Sequence, residues 1–519
     1  MCLSGPAKPS RPWYNRLKDW AFGSTRQAAL DQVPAPAQPV RVALQQAPAE
    51  QRQQPPPPVK SDQAPQEILA SLQGMRPGER VQQLATAYSA LQSTCPQHVE
   101  LARTASRAAD DNEPLGLFAV AVLRAGLEGK SLEEAALAGL DAIPSGYPSN
   151  AARIGLAVAQ NLPSQQLARA AVQAVEDSTV KNCLIRAGLQ STGKPAGQRA
   201  LAMLEAIPGN YPSNKRMASD ALMKELSQDP ELGPAIKLAS KLGRACDDAS
   251  LPSEIHLTIL KKRLQGEQNP GKLAMAGIAS ISSNYPSNRS MVVRAAIEEL
   301  QDDPNLAGYA RLGKSMTKAL EDSKLAAPIG LSVIESGLGN LTLAQTARAA
   351  MDVIPSSYPT NKNLVGKAVL QALAESPDVQ LAQRMVDGSD DTGCQNGMIL
   401  AALEIVTGEQ KDPLVVTGQK LLATIPSNYP TNRKNVGNAL LKQLRTHYTD
   451  PDARAKIDRA LQSPGEIDAV LQELVNSKTA AEEVAALAGA VTGKENKAGI
   501  EERGSVVVIG GVRVKVKSQ

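Results

Sequence analysis

The sequence predicts an all-α protein: a right-handed α-solenoid of about five ~70-residue four-helix repeats, with a disordered leader and a small C-terminal β-hairpin. Three observations predict it. Aromatic residues make up 3% of the 519 positions, with two Phe and two Trp, so Leu, Ala and Val must build most of the core. Sandwiches and barrels draw more heavily on aromatic and β-branched residues. From residue 67 onward the chain is rich in Ala and Leu at helical spacing. Finally, Tyr-Pro-[Ser/Thr]-Asn occurs five times, at Tyr147, Tyr211, Tyr285, Tyr358 and Tyr429, with intervals of 64, 74, 73 and 71 residues.

Residues 1–66 form a leader. They hold twelve of the 36 prolines, among them Pro55-Pro56-Pro57-Pro58, and are rich in Gln. Such a stretch buries too little apolar area to offset its ordering entropy, and polyproline II is expected in parts. Both tryptophans lie here. Trp13, Leu17 and Trp20 have i, i+4, i+7 spacing and share one face of a short helix. That face suits docking to a partner such as a secretion chaperone, or to a membrane surface; the alternative is an inert leader.

Residues 67–491 are the repeat domain, and one period reads as helices A to D. After Asp303, which caps with Pro304 in the first turn, helix A runs towards Leu320. Helix B carries Ile329, Val333 and Ile334 and stops at Gly337 or Gly339. Helix C, about 342–353, buries Leu343, Ala347 and Ala350, and the loop with Tyr358 follows. Asn361 or Thr360 is expected to cap helix D. Two further helical stretches, about 453–475 and 478–491, serve as a terminal cap, and 492–503 is a linker. In 504–519, Gly510-Gly511 separates two β-prone runs, a hairpin signal, with Val512, Val514 and Val516 on one face.

Four helices in ~70 residues make two hairpins of ~35 residues, the size of one unit in helical-repeat proteins. At the level of architecture, residues 67–490 resemble the HEAT, armadillo and tetratricopeptide class. The resemblance implies a curved array with a concave face that binds other proteins.

Charge is the informative pattern in the repeats. Cations follow each motif Asn: Arg153, Lys215 and Arg216, Arg289, Lys362, Arg433 and Lys434. They stand in the first turn of helix D, where the helix dipole disfavours positive charge by ~0.3–1 kcal/mol each. Acidic pairs recur 35 to 39 residues before each tyrosine: Asp110-Asp111, Glu176-Asp177, Asp247-Asp248, Glu321-Asp322 and Asp390-Asp391. These are expected at the C-terminus of helix A, again the unfavourable end. In an up-down array both corners lie on one edge. They form either a ladder of ion pairs that sets hairpin spacing or a recognition edge with the tyrosines as anchors. Each Tyr can also fold back on helix D as a hydrophobic staple.

The chain offers little for other chemistries. His98, His256 and His447 lie more than 150 residues apart, and Cys95 with His98 lacks a second ligand pair. Gly126-Leu-Glu-Gly129-Lys130-Ser131 resembles a phosphate loop but follows a helix and has Arg124 at the first glycine position. No catalytic residue, cofactor or metal is expected. Residues 1–66 hold eight cations and four acids, whereas the remainder holds 48 of each, which argues against a nucleic-acid partner. The five scattered cysteines suit a reducing compartment. The longest apolar run, around Leu115 to Leu123, is far short of the ~20 residues that span a bilayer. No apolar h-region follows the basic N-terminus. The expected function is a cytoplasmic, non-catalytic protein-binding scaffold. The alternative is a bacterial effector carried into a host cell by a needle-type, signal-peptide-independent route, and an enzyme with an unrecognised site ranks last.

Overall fold

A computed structural model describes residues 64–408 and 412–477, and the backbone of 506–509 and 512–515. The fold is all-α, with 24 α-helices among the described residues. Two helices, Pro65–Gly74 and Pro77–Leu91, come first. Period one follows with A Pro96–Ser106, B Asn112–Leu127, C Leu132–Asp141 and D Pro148–Asn161. In period two these are Gln166–Ala174, Ser178–Gln190, Ala196–Glu205 and Pro212–Leu226. Period three has Gly233–Arg244, Leu251–Leu264, Pro270–Ala279 and Pro286–Glu299. Period four has Ala307–Lys318, Ala326–Leu338, Leu343–Asp352 and Pro359–Ala372. Period five has Pro377–Asp387, Thr392–Thr407, Leu414–Ala423 and Pro430–His447, and Pro451–Gln462 and Ile467–Val475 end the series. Every period therefore contains the four helices its sequence calls for.

The described helices fall into two compact units, one ending with Leu264 and the other starting at Pro270. Within each unit a helix packs mainly on helices near it in sequence. Helix B of period one lies against A and C, and helix D of period one lies against helix B of period two. The same D-to-next-B packing joins periods two and three, three and four, and four and five. Aliphatic residues fill the interior, with Phe118 the one phenylalanine among the largest fully buried side chains.

Two expected boundaries shift. Asp303 does accept hydrogen bonds, from the amides of Asn305 and Leu306 at 2.9 and 3.0 Å, but the chain makes a turn there and helix A begins at Ala307. Asp229 does the same before Gly233. The stretch expected at about 453–475 is two helices, because Pro464 cannot donate to the preceding turn and a short 3₁₀ segment intervenes. The helix expected at 478–491, the linker, and the leader with Trp13 and Trp20 lie outside the described residues. In the tail, the backbone runs Val506–Ile509 and Val512–Lys515 are antiparallel, with Ile509 opposite Val512; their side chains lie outside the described residues. No described helix is long and apolar enough to cross a membrane.

Candidate functional site

The recurring Ile-x-x-x-Tyr-Pro-x-Asn segment builds the same corner five times. Its Ile closes helix C into the core: Ile143, Ile207, Ile281, Ile354 and Ile425 are all buried. Each Tyr amide then donates to the carbonyl three residues back, at 3.0–3.2 Å, which closes a turn. The tyrosines share one backbone conformation, φ from −117° to −113° and ψ from 52° to 61°. Each occupies the N-cap position of helix D, with its Pro first in the helix, where a missing N–H costs nothing.

The expectation that Asn361 or Thr360 caps helix D is overturned: Tyr358 is the N-cap, and no side chain caps there. In periods one, two, four and five the Asn reaches away from its own helix to the A–B corner of the same period. Asn361 Oδ1 accepts from the amides of Glu321 and Asp322 at 2.9 and 3.1 Å. Asn214 Oδ1 accepts from Glu176 and Asp177 at 3.0 and 3.2 Å. Asn150 accepts from Asp110 at 2.7 Å, and Asn432 from Asp390 at 2.9 Å and from the Ser389 hydroxyl at 2.8 Å. An amide side chain suits this task because its carbonyl oxygen has two lone pairs for two converging N–H groups. In these four periods the motif Asn is thus a staple between the two hairpins.

The acidic pairs also differ from expectation. Their second member belongs to the start of helix B, where its charge favours the dipole. Asp111, Asp177, Asp248 and Asp322 each accept from the amide two residues on, at 2.8–2.9 Å. Asp391 accepts from Cys394 N at 2.8 Å, and that bond holds its carboxyl below the usual range. Hydroxyl and backbone bonds from Ser250 do the same for Asp248. The unfavourable placement read from the sequence disappears because helix A stops before the pair.

The cations behave individually. Arg153 pairs with Asp110 in its own period. Lys215 Nζ lies 2.8 Å from Glu254, and Arg433 Nη2 lies 2.9 Å from Asp468, each in the first turn of a helix in the following hairpin. Arg216 approaches Asp220 of its own helix at 3.9 Å. Arg289 is buried, and burial lowers its guanidinium pKa. Lys434 is exposed beside a cleft of about 410 Å³ that Leu422, Ile425, Pro464 and Ile467 help to line. Of these contacts, Lys215–Glu254 joins periods two and three, and Arg433–Asp468 joins period five to the terminal helices. The neutral ties Asn182 Nδ2 to Pro148 O and Asn396 Nδ2 to Pro359 O, both 3.0 Å, also join successive periods.

Tyrosine surroundings vary on this constant frame. The Tyr147 hydroxyl donates to Glu113 at 2.9 Å, and that carboxylate raises the phenol pKa. Tyr211 is half-buried, and Tyr429 packs on the core. Tyr285 and Tyr358 are 37% and 36% exposed, and they are the large exposed hydrophobics among the described residues.

One feature escaped the sequence reading. Eight residues after each motif Tyr, helix D meets a residue of the following hairpin, and the two are complementary in size. A Cβ on Gly155 would stand 2.4 Å from Ile185 Cδ1, and one on Gly366 would stand 2.8 Å from Ile399. A Cβ on Gly437 would likewise stand 2.9 Å from Ile467; in the third seam the roles reverse, and a Cβ on Gly330 would collide with the Val293 side chain. The second seam pairs Ser219 with His256, whose Nδ1 is 3.0 Å from the Ser hydroxyl. Gly stands at the helix D position in three of the five seams, and Ser219 and Val293 interrupt the run, so the partner of each is visible only in the fold.

Cys95 and His98 do not converge on a site: the thiol donates to Leu91 O, and the His98 ring bonds Lys130 O at 2.9 Å. The phosphate-loop-like segment is a helix end, with Gly129 at φ +74° and Lys130 paired to Glu128 at 2.8 Å. Among the described residues no group of three His, Cys, Asp or Glu could hold a metal ion. Compared with protein families, curated proteins and solved structures, the chain has no match.

Proposed function

We propose that this chain is a non-catalytic protein-binding scaffold, a right-handed α-solenoid of four-helix periods that presents the Tyr-Pro corners to a partner protein. The exposure of Tyr285 and Tyr358 is the observation that carries this reading. These corners spend their Ile and Pro on holding the fold, while two large amphipathic rings stay at the surface. Tyrosine is a preferred interface anchor because it supplies area at low entropic cost and keeps a polar tip. The C-terminal hairpin and the leader act in this reading as tethers.

The test is a cross-linking capture with the wild-type chain and a Tyr285→Ser/Tyr358→Ser variant of equal helicity and thermal stability. A specific partner recovered by the wild type and lost with the variant, at a cost of about 2 kcal/mol per anchor, supports the reading. Equal recovery by both overturns the role of the corners. Small-angle scattering separately checks the array: an extended, curved particle is expected, and a spherical one refutes the solenoid.

A further inference from the structure

Four of the five D-to-next-hairpin seams carry an apolar pair eight residues after the motif Tyr: Gly155 with Ile185, Val293 with Gly330, Gly366 with Ile399, and Gly437 with Ile467. The seam between periods two and three instead carries a titratable group. His256 stands eight residues after Asp248, the position that Ile185, Gly330 and Ile399 occupy relative to Asp177, Asp322 and Asp391. It is 1% exposed and rests on backbone, since a Cβ on Gly243 would lie 2.4 Å from Nε2.

Its ring is held by a hydroxyl: Nδ1 lies 3.0 Å from the Ser219 hydroxyl, which also lies 2.9 Å from Arg216 O. Nε2 is buried without a hydrogen-bond partner. The charged groups around the ring do not welcome a proton. Arg216 on helix D and Arg244 on helix A both disfavour the cation, although the Ala239 carbonyl favours it. Asp220 Oδ1 is 3.8 Å from Nδ1, but that carboxylate is half-exposed and its other oxygen faces Arg216. Burial is the largest cause and, with the two arginines, brings the pKa down to about 4.

We propose that the His256–Ser219 pair makes the seam between periods two and three an acid-sensitive opening point: a protonated imidazole leaves its pocket, and helix B of period three parts from helix D of period two while the apolar seams hold. The sign follows from linkage. The opened state binds a proton near pH 6.5 and the closed state only near pH 4, so closure is fully favoured above pH 6.5 and weakens as pH falls towards 4. Between pH 7 and 5 the closing equilibrium should fall roughly 20-fold.

The experiment is hydrogen exchange on the full-length chain at pH 7 and pH 5, corrected for intrinsic rates. Protection in 212–226 and 251–264 should drop by about that factor, with no comparable drop in 148–161 and 178–190. The double variant His256→Ile/Ser219→Gly installs the pair found at 185 and 155 and should abolish the pH effect. A pH-dependent loss that persists in this variant, or that is equal at both seams, overturns the proposal. The wild-type chain gives a second reading through the imidazole NMR signals of its three histidines, assigned with His98→Gln and His447→Gln. The His256 ring should stay neutral through pH 5.5, and ordinary titration near pH 6.5 without loss of protection refutes the seam.

Discussion

Replacing Asn361 with Ala asks whether the motif Asn is a staple between hairpins or a cap on its own helix. Asn361 is 7% exposed, and its Oδ1 takes hydrogen bonds from two amides, at 2.9 and 3.1 Å, on a different corner. A net intramolecular hydrogen bond contributes about 0.5–1.5 kcal/mol. Glu321 is exposed and Asp322 only half-buried, so water can reach the orphaned amides and the full cost of burying bare donors does not apply. The expected loss for Asn361→Ala is therefore about 1–2 kcal/mol. Thr360→Ala, one residue away and exposed, should cost less than about 0.5 kcal/mol. A capping role would reverse the order, because loss of an N-cap side chain costs about 1 kcal/mol. Urea unfolding followed by circular dichroism gives the global change. Hydrogen exchange at the Glu321 and Asp322 amides gives the local one, which matters because long repeat arrays depart from two-state behaviour. An Asn361→Ala chain within about 0.5 kcal/mol of wild type, or Thr360→Ala equally costly, refutes the staple.

Other consequences are open to measurement. Gly155→Ala gains about 1 kcal/mol of helix propensity but drives a Cβ to 2.4 Å from Ile185 Cδ1, an overpacking cost of about 1–3 kcal/mol. Net destabilisation is expected, with partial rescue by Ile185→Val; strictly additive effects in the four-chain cycle would show that the two residues do not share a seam. Arg433→Glu breaks the 2.9 Å pair with Asp468 and should lower thermal stability by up to ~1 kcal/mol, whereas Lys434→Glu should change it by less than ~0.5 kcal/mol. Calorimetry that ranks the two equally contradicts the pairing. Burial pushes the Cys246 thiol up to about 12; burial, followed by the Asp391 carboxylate, pushes Cys394 to about 11. Both should react with iodoacetamide at pH 8 on the order of 100-fold more slowly in the native chain than in denaturant, and equal rates would show the thiols accessible.

Much of this architecture was legible in the residues because it rests on local chemistry. The aliphatic periodicity marks the helices of the repeats, and the recurring Tyr-Pro-[Ser/Thr]-Asn marks their corners, although helix D starts at Pro359 and not after Thr360 or Asn361. What failed was the assignment of partners. Asn361 followed by helical sequence looks like a cap, because Asn serves that role in most local contexts. Its actual partners, Glu321 and Asp322, lie 40 and 39 residues away along the chain. The acidic pairs were misplaced for a related reason: composition does not show where helix A stops, and a shift of two residues turns an unfavourable dipole contact into a favourable one.

The sequence by itself determined the helical class, the number of periods, the identity of the five corners and the sparing use of aromatic residues in the core. Tertiary structure alone decided which hairpin the motif Asn of periods one, two, four and five holds, which acid meets Lys215 or Arg433, and that Gly155, Gly366 and Gly437 are the small halves of inter-hairpin seams. The division has a physical cause. Backbone propensity and capping act over one or two turns and leave a mark at fixed spacing. A staple or a seam is a contact between chain segments tens of residues apart, where either side can supply the acceptor, the charge or the bulk, so no single position has to carry the signal.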